Sequence, residues 1–334
     1  MDRKAQELAE GTLAAATARQ PDSLREAMVA IDPASGAVLV YAGYDKQKPG
    51  NDYANSWYAP GSLYMPFVLA ALLQRGEGLD EVYDGRGPRK FGDLMVTNAA
   101  NCAQECTVAD AMKQSVNTVF ADITFNTVGT RAVGNALVAA GIPASVGPDR
   151  TPVAGESGRP PSLAVGLGGA PYQARVVDIA TAYATLAAEG TKHRPHLVAQ
   201  VTDPKTGEVI FDDNARSEDA FEPKDSATNK RIARNITESL LPIPPLNQIP
   251  CQAQHQCAGK PATIVCQGGN ATCGAWMAGY TPGVSVAVHL GADEFAPIPP
   301  ESTGLAGAIW QRFLNAYLTD RPAQRFPPYE PIRR

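Results

Sequence analysis

The sequence predicts an α+β domain: one antiparallel sheet flanked by N- and C-terminal helices, with a helical lobe inserted into it. Three observations carry the prediction. Strand-like runs lie near both ends, at Ala27–Gly43 and Thr263–Leu290. The segments between them are mostly helical in pattern. Amphipathic runs stand outside the strands, at residues 2–20 and Leu305–Leu318. All 334 residues read as a single domain. Its sheet portion spans about 1–60 and 190–320, its helical lobe about 62–190, and residues 321–334 form a Pro-rich tail.

Each element has its own signal. Ala5, Leu8, Ala9, Leu13 and Ala14 repeat at i, i+3 and i+4, the pattern of a helix lying on a core. Ala27–Asp32 and Ala37–Gly43 flank a Pro-Ala-Ser-Gly turn and read as a hairpin. Residues 45–58 are polar and read as a loop, and Phe67, Val68, Leu69 and Leu72 begin a buried helix. Gly76–Gly92 reads as irregular, Thr107 as the cap of a helix through Met112, and Ser115 as the opening of a further helical run. Residues 143–171 hold much Gly, Pro and Ser and read as a long exposed loop. Tyr172–Ala188 is helical and closed by Gly190. A second hairpin joins Leu197–Thr202 to Glu208–Phe211, and a helix spans 228–241 before the Pro-rich 242–250. Three strands then alternate with turns to Leu290.

With 44% hydrophobic and 19% charged residues, the chain can bury a large core. A net charge of −5 offers no basic surface for nucleic acid or an anionic membrane. No apolar run approaches the roughly 18 residues of a membrane span. The opening Met-Asp-Arg-Lys-Ala-Gln-Glu-Leu has no apolar core and is not a signal peptide. The protein is therefore either cytoplasmic or exported by a segment outside these residues. Cysteine usage favours export. The six cysteines form three close pairs, Cys102/Cys106, Cys251/Cys257 and Cys266/Cys273. Among the 15 pairings that six cysteines allow, local closure of each pair is the simplest, and three disulfides imply an oxidising compartment. His193, His196, His255 and His289 are scattered, so neither a metal site nor a cofactor is expected.

The stretch richest in chemistry is Ala59–Leu73, Ala-Pro-Gly-Ser-Leu-Tyr-Met-Pro-Phe-Val-Leu-Ala-Ala-Leu-Leu. Ser62 follows a Pro-Gly turn, and Pro66 is tolerated only in a first helical turn. Taken alone, Ser62 reads as the cap of a core helix, where the helix dipole would favour negative charge on its oxygen. Ser115-Val-Asn117 taken alone also reads as a cap. A literal Lys205-Thr206-Gly207 lies in Asp-Pro-Lys-Thr-Gly-Glu between two hairpin strands and reads as a solvated turn.

Pro-Gly-Ser62-x-x-x-Pro-Phe before an apolar helix resembles the nucleophile helix of penicillin-binding proteins, which carries Ser-x-x-Lys. Val29–Leu39, Gln114–Phe120, Leu163–Gly168, Ile179–Thr185, Gly279–Pro282 and Ile309–Phe313 follow in the order seen in transpeptidase domains of class A members. The resemblance covers nearly the whole chain, whereas the glycosyltransferase domain those proteins carry upstream lies outside it. It implies Ser62 as nucleophile, Ser115 and Asn117 as the second motif, and Lys260 as the lysine of the third. It also implies the N–H groups of Ser62 and Thr263 as oxyanion donors, and a peptidoglycan stem peptide or other D-Ala-D-Ala-like ligand.

Three positions depart from the family's pattern. Met65 stands where Ser-x-x-Lys has its lysine, and Lys260-Pro261-Ala262 stands in place of Lys-Thr-Gly. Methionine has the length of lysine without its basic nitrogen. Pro261 removes a hydroxyl and a backbone donor, so it belongs at a sheet edge, and Ala262 adds a methyl. Tyr64 faces away from Ser62 and Lys113 reads as solvated, which leaves Lys260 acting through Ser115 as the one substitute base. Three readings follow. The first is an impaired or silent homologue that binds or scaffolds in the cell envelope, with β-lactams as weak ligands. The second is an active acyl-serine D,D-transpeptidase or carboxypeptidase using Ser62 with Ser115 and Lys260. The third is a structural module unrelated to ligands.

Overall fold

The computed structural model describes residues 1–43, 50–146, 153, 160–213, 217–266 and 268–333. Helix α1 (Arg3–Thr17) is capped by the Asp2 carboxylate and leads into strands β1 (Leu24–Ile31) and β2 (Val38–Ala42). A 3₁₀ turn, Gly61–Tyr64, runs directly into α2 (Met65–Leu73). The lobe continues with α3 (Val108–Gln114), α4 (Asn117–Asp122), α5 (Thr130–Ala140) and α6 (Val176–Ala187). An outlying hairpin, β3 (Gln200–Thr202) and β4 (Val209–Asp212), precedes α7 (Ser226–Leu240). Strands β5 (Ala258–Val265), β6 (Thr272–Thr281) and β7 (Val284–Ala292) and helix α8 (Ser302–Leu318) complete the fold.

The main sheet has the order β5-β6-β7-β1-β2 and is antiparallel throughout. Alternation along β1 divides its side chains between two cores. Met28 and Ala30 join Leu13, Met277, Val286, Trp310 and Phe313 on the face covered by α1 and α8. Ala27, Val29 and Ile31 join Trp276, Ala278 and Tyr280 against α2, α3 and α6. With helices on both faces, β6 and β7 are buried along nearly their whole length. Their sequences are accordingly apolar in runs rather than in alternation.

Several elements match their sequence signals closely. Thr107 Oγ1 accepts the Asp110 N–H at 3.1 Å at the start of α3. Lys205-Thr206-Gly207 forms the exposed turn between β3 and β4. Disulfides close Cys102–Cys106, Cys251–Cys257 and Cys266–Cys273. Other expectations need correction. Part of the long loop expected at 143–171 lies outside the described residues, and its described end is exposed only in part. Leu163–Leu167 makes a 3₁₀ turn with Val165 and Gly166 buried, because Gly166 meets Thr124 and Gly168 meets Gly61 at distances that leave no room for a side chain. Ser115 ends α3, and the next helix opens at Asn117. The tail from Arg321 has no regular structure but is docked rather than free, with Ile332 buried.

Candidate active site

Ser62 does not cap α2. It lies inside the 3₁₀ turn, and its hydroxyl donates instead to the carbonyl of Pro261, 3.2 Å away on β5. The capping position of α2 belongs to Tyr64, which makes no side-chain cap. The Met65 N–H donates to the Ser62 carbonyl. Met65 thus follows the turn directly, as the first residue of α2 and three positions beyond Ser62. Met65 is fully buried, as is every residue of α2. Tyr64 is also fully buried, and burial holds its phenol well above its ordinary pKa, so it stays protonated.

Strand β5 forms one edge of the sheet and faces the turn with its outer side. Lys260, Pro261, Ala262 and Thr263 pair with Ala278, Met277, Trp276 and Ala275. The Pro261 carbonyl turns toward Ser62, so its nitrogen also turns away from β6, and the missing N–H costs the ladder nothing. By the same alternation the backbone of Thr263, an exposed residue, faces outward beside it. Ala262 is buried against the turn: a methyl built on Gly61 would lie 3.4 Å from Ala262 Cβ and 2.7 Å from Ile264 Cδ1. Gly61, at φ +57°, therefore lacks both the space and the backbone conformation for a side chain.

Lys260 is fully buried. Its amine donates to Ser115 Oγ at 2.5 Å and to the Met112 carbonyl at 3.1 Å. Burial without a counter-ion lowers its pKa from 10.5 to about 7, so the neutral amine is populated near neutrality. Ser115 meets it from the end of α3 in a left-handed conformation, φ 56° and ψ 48°. A non-glycine residue held there stores about 1–3 kcal/mol of strain. Asn117 Nδ2 donates to the Thr97 carbonyl at 2.9 Å. Lys113 pairs with Asp110 at the surface and takes no part. The structure thus joins Ser62 to Pro261 and Lys260 to Ser115 as two separate contacts.

Sequence reasoning missed the groups that hold the serine turn. Trp276 Nε1 donates to the Ala59 carbonyl at 3.0 Å, and the Tyr183 hydroxyl donates to the Leu63 carbonyl at 3.2 Å. The two bonds bracket Ser62 from β6 and from α6. Tyr58 stacks at 3.7 Å on His289, which contacts Trp276 at 4.3 Å. Burial lowers the His289 pKa to about 3, so the ring acts as a neutral plate. Tyr183 falls inside the Ile179–Thr185 motif, but its role depends on how α6 packs, which its own stretch does not reveal. Trp276 has no local signal at all.

Comparison with known proteins follows the same lines. Residues 26–242 match the penicillin binding protein transpeptidase domain family. The chain is 33% identical over 344 residues to penicillin-binding protein 1A of Mycolicibacterium smegmatis and 34% identical over 346 residues to that of Mycobacterium tuberculosis. Each alignment covers 98% of this chain but only 42% and 40% of those proteins. The solved structure of PonA1 from Mycobacterium tuberculosis superposes with a TM-score of 0.90 at 32% identity, over 99% of this chain and 86% of that one. Its complex with penicillin V gives 0.89, over 99% and 88%. By sequence and by fold, the chain belongs to the penicillin-binding protein transpeptidase domain family.

Proposed function

We propose that this transpeptidase domain is impaired in acyl transfer and acts in binding or scaffolding linked to peptidoglycan, outside the cytoplasm. Its ligand is a stem peptide or a related D-Ala-D-Ala-like group, with β-lactams as weak ligands. One observation carries the reading: the Ser62 hydroxyl donates its hydrogen bond to the Pro261 carbonyl, and the side chain three residues on is a thioether. Attack by Ser62 on a carbonyl requires a group that takes its proton as the O–C bond forms and later protonates the leaving amine. A positioned general base contributes typically about 10²–10⁴-fold, and Met65 can supply none of it. Three disulfides suit an oxidising envelope compartment.

A second reading has its own support in the short Lys260–Ser115 contact and the lowered pKa of that amine. Under it the Ser62 proton passes to the Ser115 oxygen as the Ser115 proton passes to Lys260, and the N–H groups of Ser62 and Thr263 receive the oxyanion. The route requires Ser62 to leave the Pro261 carbonyl. Labelling with a fluorescent penicillin, read by intact mass, separates the two. The first reading expects no stoichiometric adduct on Ser62, and a gain of acylation in the Met65→Lys, Pro261→Thr, Ala262→Gly triple variant. An adduct formed by the unaltered protein and abolished by both Ser62→Ala and Lys260→Met establishes the second instead.

A further inference from the structure

The hairpin β3–β4 stands apart from the rest of the molecule. Every residue of both strands is exposed, so neither face packs on the core. Yet the segment is apolar. Among the described residues, six of the sixteen exposed large hydrophobics fall between 197 and 211. Leu197, Val198, Val201, Val209, Ile210 and Phe211 are each between 43% and 66% exposed. A soluble surface seldom concentrates apolar side chains in this way without something to cover them. A two-stranded ribbon with no packed face is also marginal by itself.

Two features describe what covers it. Among the described residues each strand pairs only with the other, so both outer edges offer rows of backbone donors and acceptors. The ribbon is also acidic: Asp203, Glu208 and Asp212 stand against one cation, Lys205. That charge disfavours a second copy of the same ribbon and an anionic lipid surface alike, and favours a basic partner. We infer that the β3–β4 hairpin is a docking surface for a basic, apolar-containing polypeptide segment that adds to it as a further strand, its main chain pairing with the free edge and its cations meeting the hairpin's carboxylates. This is the strand-addition mode of recognition, and it does not depend on chemistry at Ser62.

The test uses the whole chain and two synthetic peptides, acetylated and amidated, one alternating Lys with Val and the other Glu with Val. Amide chemical shifts locate binding, and fluorescence anisotropy measures it at low salt. The Lys/Val peptide should bind at least about tenfold tighter than the Glu/Val peptide, with shifts confined to residues 197–213. The charge-reversed variant Asp203→Lys, Glu208→Lys, Asp212→Lys should invert that preference. The variant Val201→Ser, Ile210→Ser, Phe211→Ser should weaken binding at least about tenfold. Both variants are checked by circular dichroism, and neither touches the core. Equal binding of the two peptides, shifts centred elsewhere, or an unchanged preference after charge reversal overturns the inference. So does concentration-dependent dimerisation through the hairpin, or tighter binding to phosphatidylglycerol vesicles than to the Lys/Val peptide.

Discussion

Single residues set the character of the site. Ser115 holds a left-handed conformation at the end of α3 while its oxygen accepts the Lys260 amine. Ser115→Gly and Ser115→Ala both lose that acceptor, but only glycine relieves the backbone. Chemical denaturation should therefore find the glycine variant about 1–2 kcal/mol more stable than the alanine variant. Equal stabilities would show that the left-handed backbone costs nothing here. Lys260 makes a pH-dependent claim. Its folded pKa, about 7, lies below its unfolded value of 10.5. Between those values the unfolded chain holds a proton that the folded chain has released, so stability rises with pH across that window; below it both states hold the proton, and the cost of burying the charged amine is full and independent of pH. Comparing denaturation midpoints with Lys260→Met from pH 7 to 9, the unaltered protein should gain on the variant by up to about 1.4 kcal/mol per pH unit. A flat difference would mean that the amine stays charged when buried.

At the scale of elements, the site is a meeting of a 3₁₀ turn, an edge strand and two helices held by main-chain contacts. Gly61 N–H donates to the Gly168 carbonyl at 3.0 Å, and a methyl on Gly168 would lie 2.1 Å from the Gly61 carbonyl oxygen. Gly168→Ala should thus cost at least about 2 kcal/mol, through both the clash and its φ of +61°. Gly207→Ala, at φ +72° with open space around it, is the control for conformation without collision. Tyr183→Phe keeps the ring and frees the Leu63 carbonyl, whereas Trp276→Phe frees the Ala59 carbonyl and also trims a fully buried indole. The first should cost about 1 kcal/mol and the second about 2–3 kcal/mol by denaturation, and the double variant should also raise the mobility of Ser62 in amide relaxation measurements. These elements also show what the sequence could disclose. Helices α1, α6 and α8 were legible because burial imposes a period on their apolar residues, and the strands because their apolar runs are bounded by turn residues. The serine turn was placed at the head of the apolar helix by Pro-Gly and Pro66. The bond from Ser62 to Pro261 was not legible, because 199 positions separate the partners and no local preference encodes their approach. The burial of Leu163–Leu167 was missed for a related reason: glycines that mark an open loop also permit the closest backbone contact.

At the scale of the molecule, the two portions of the domain are tied by more than the sheet. After α8 the tail passes the root of β5, where Phe326 N–H meets Gln256 Oε1 and the Phe326 ring packs edge-on against Tyr280. It then crosses α7, where Asn235 binds both the Glu330 carbonyl and the Ile332 N–H. Ile332 is 7% exposed, and its carbonyl sits where any side chain on Gly78 would be. Ile332→Ala should cost about 2 kcal/mol, and Gly78→Ala should lift the strap from the lobe without touching the sheet. Hydrogen exchange along α7 reads both, and unchanged protection there would mean the strap bears no load. The strap thus lashes the sheet-borne α8 to the far lobe. Tension applied at Arg333 would be borne first by α7 and Asp80, in shear along the strap, before any of it could pry Lys260 from Ser115. A handle fixed at that end in a single-molecule pulling experiment would therefore register the peeling of the strap as an early, separate step, with the Lys260–Ser115 contact still intact.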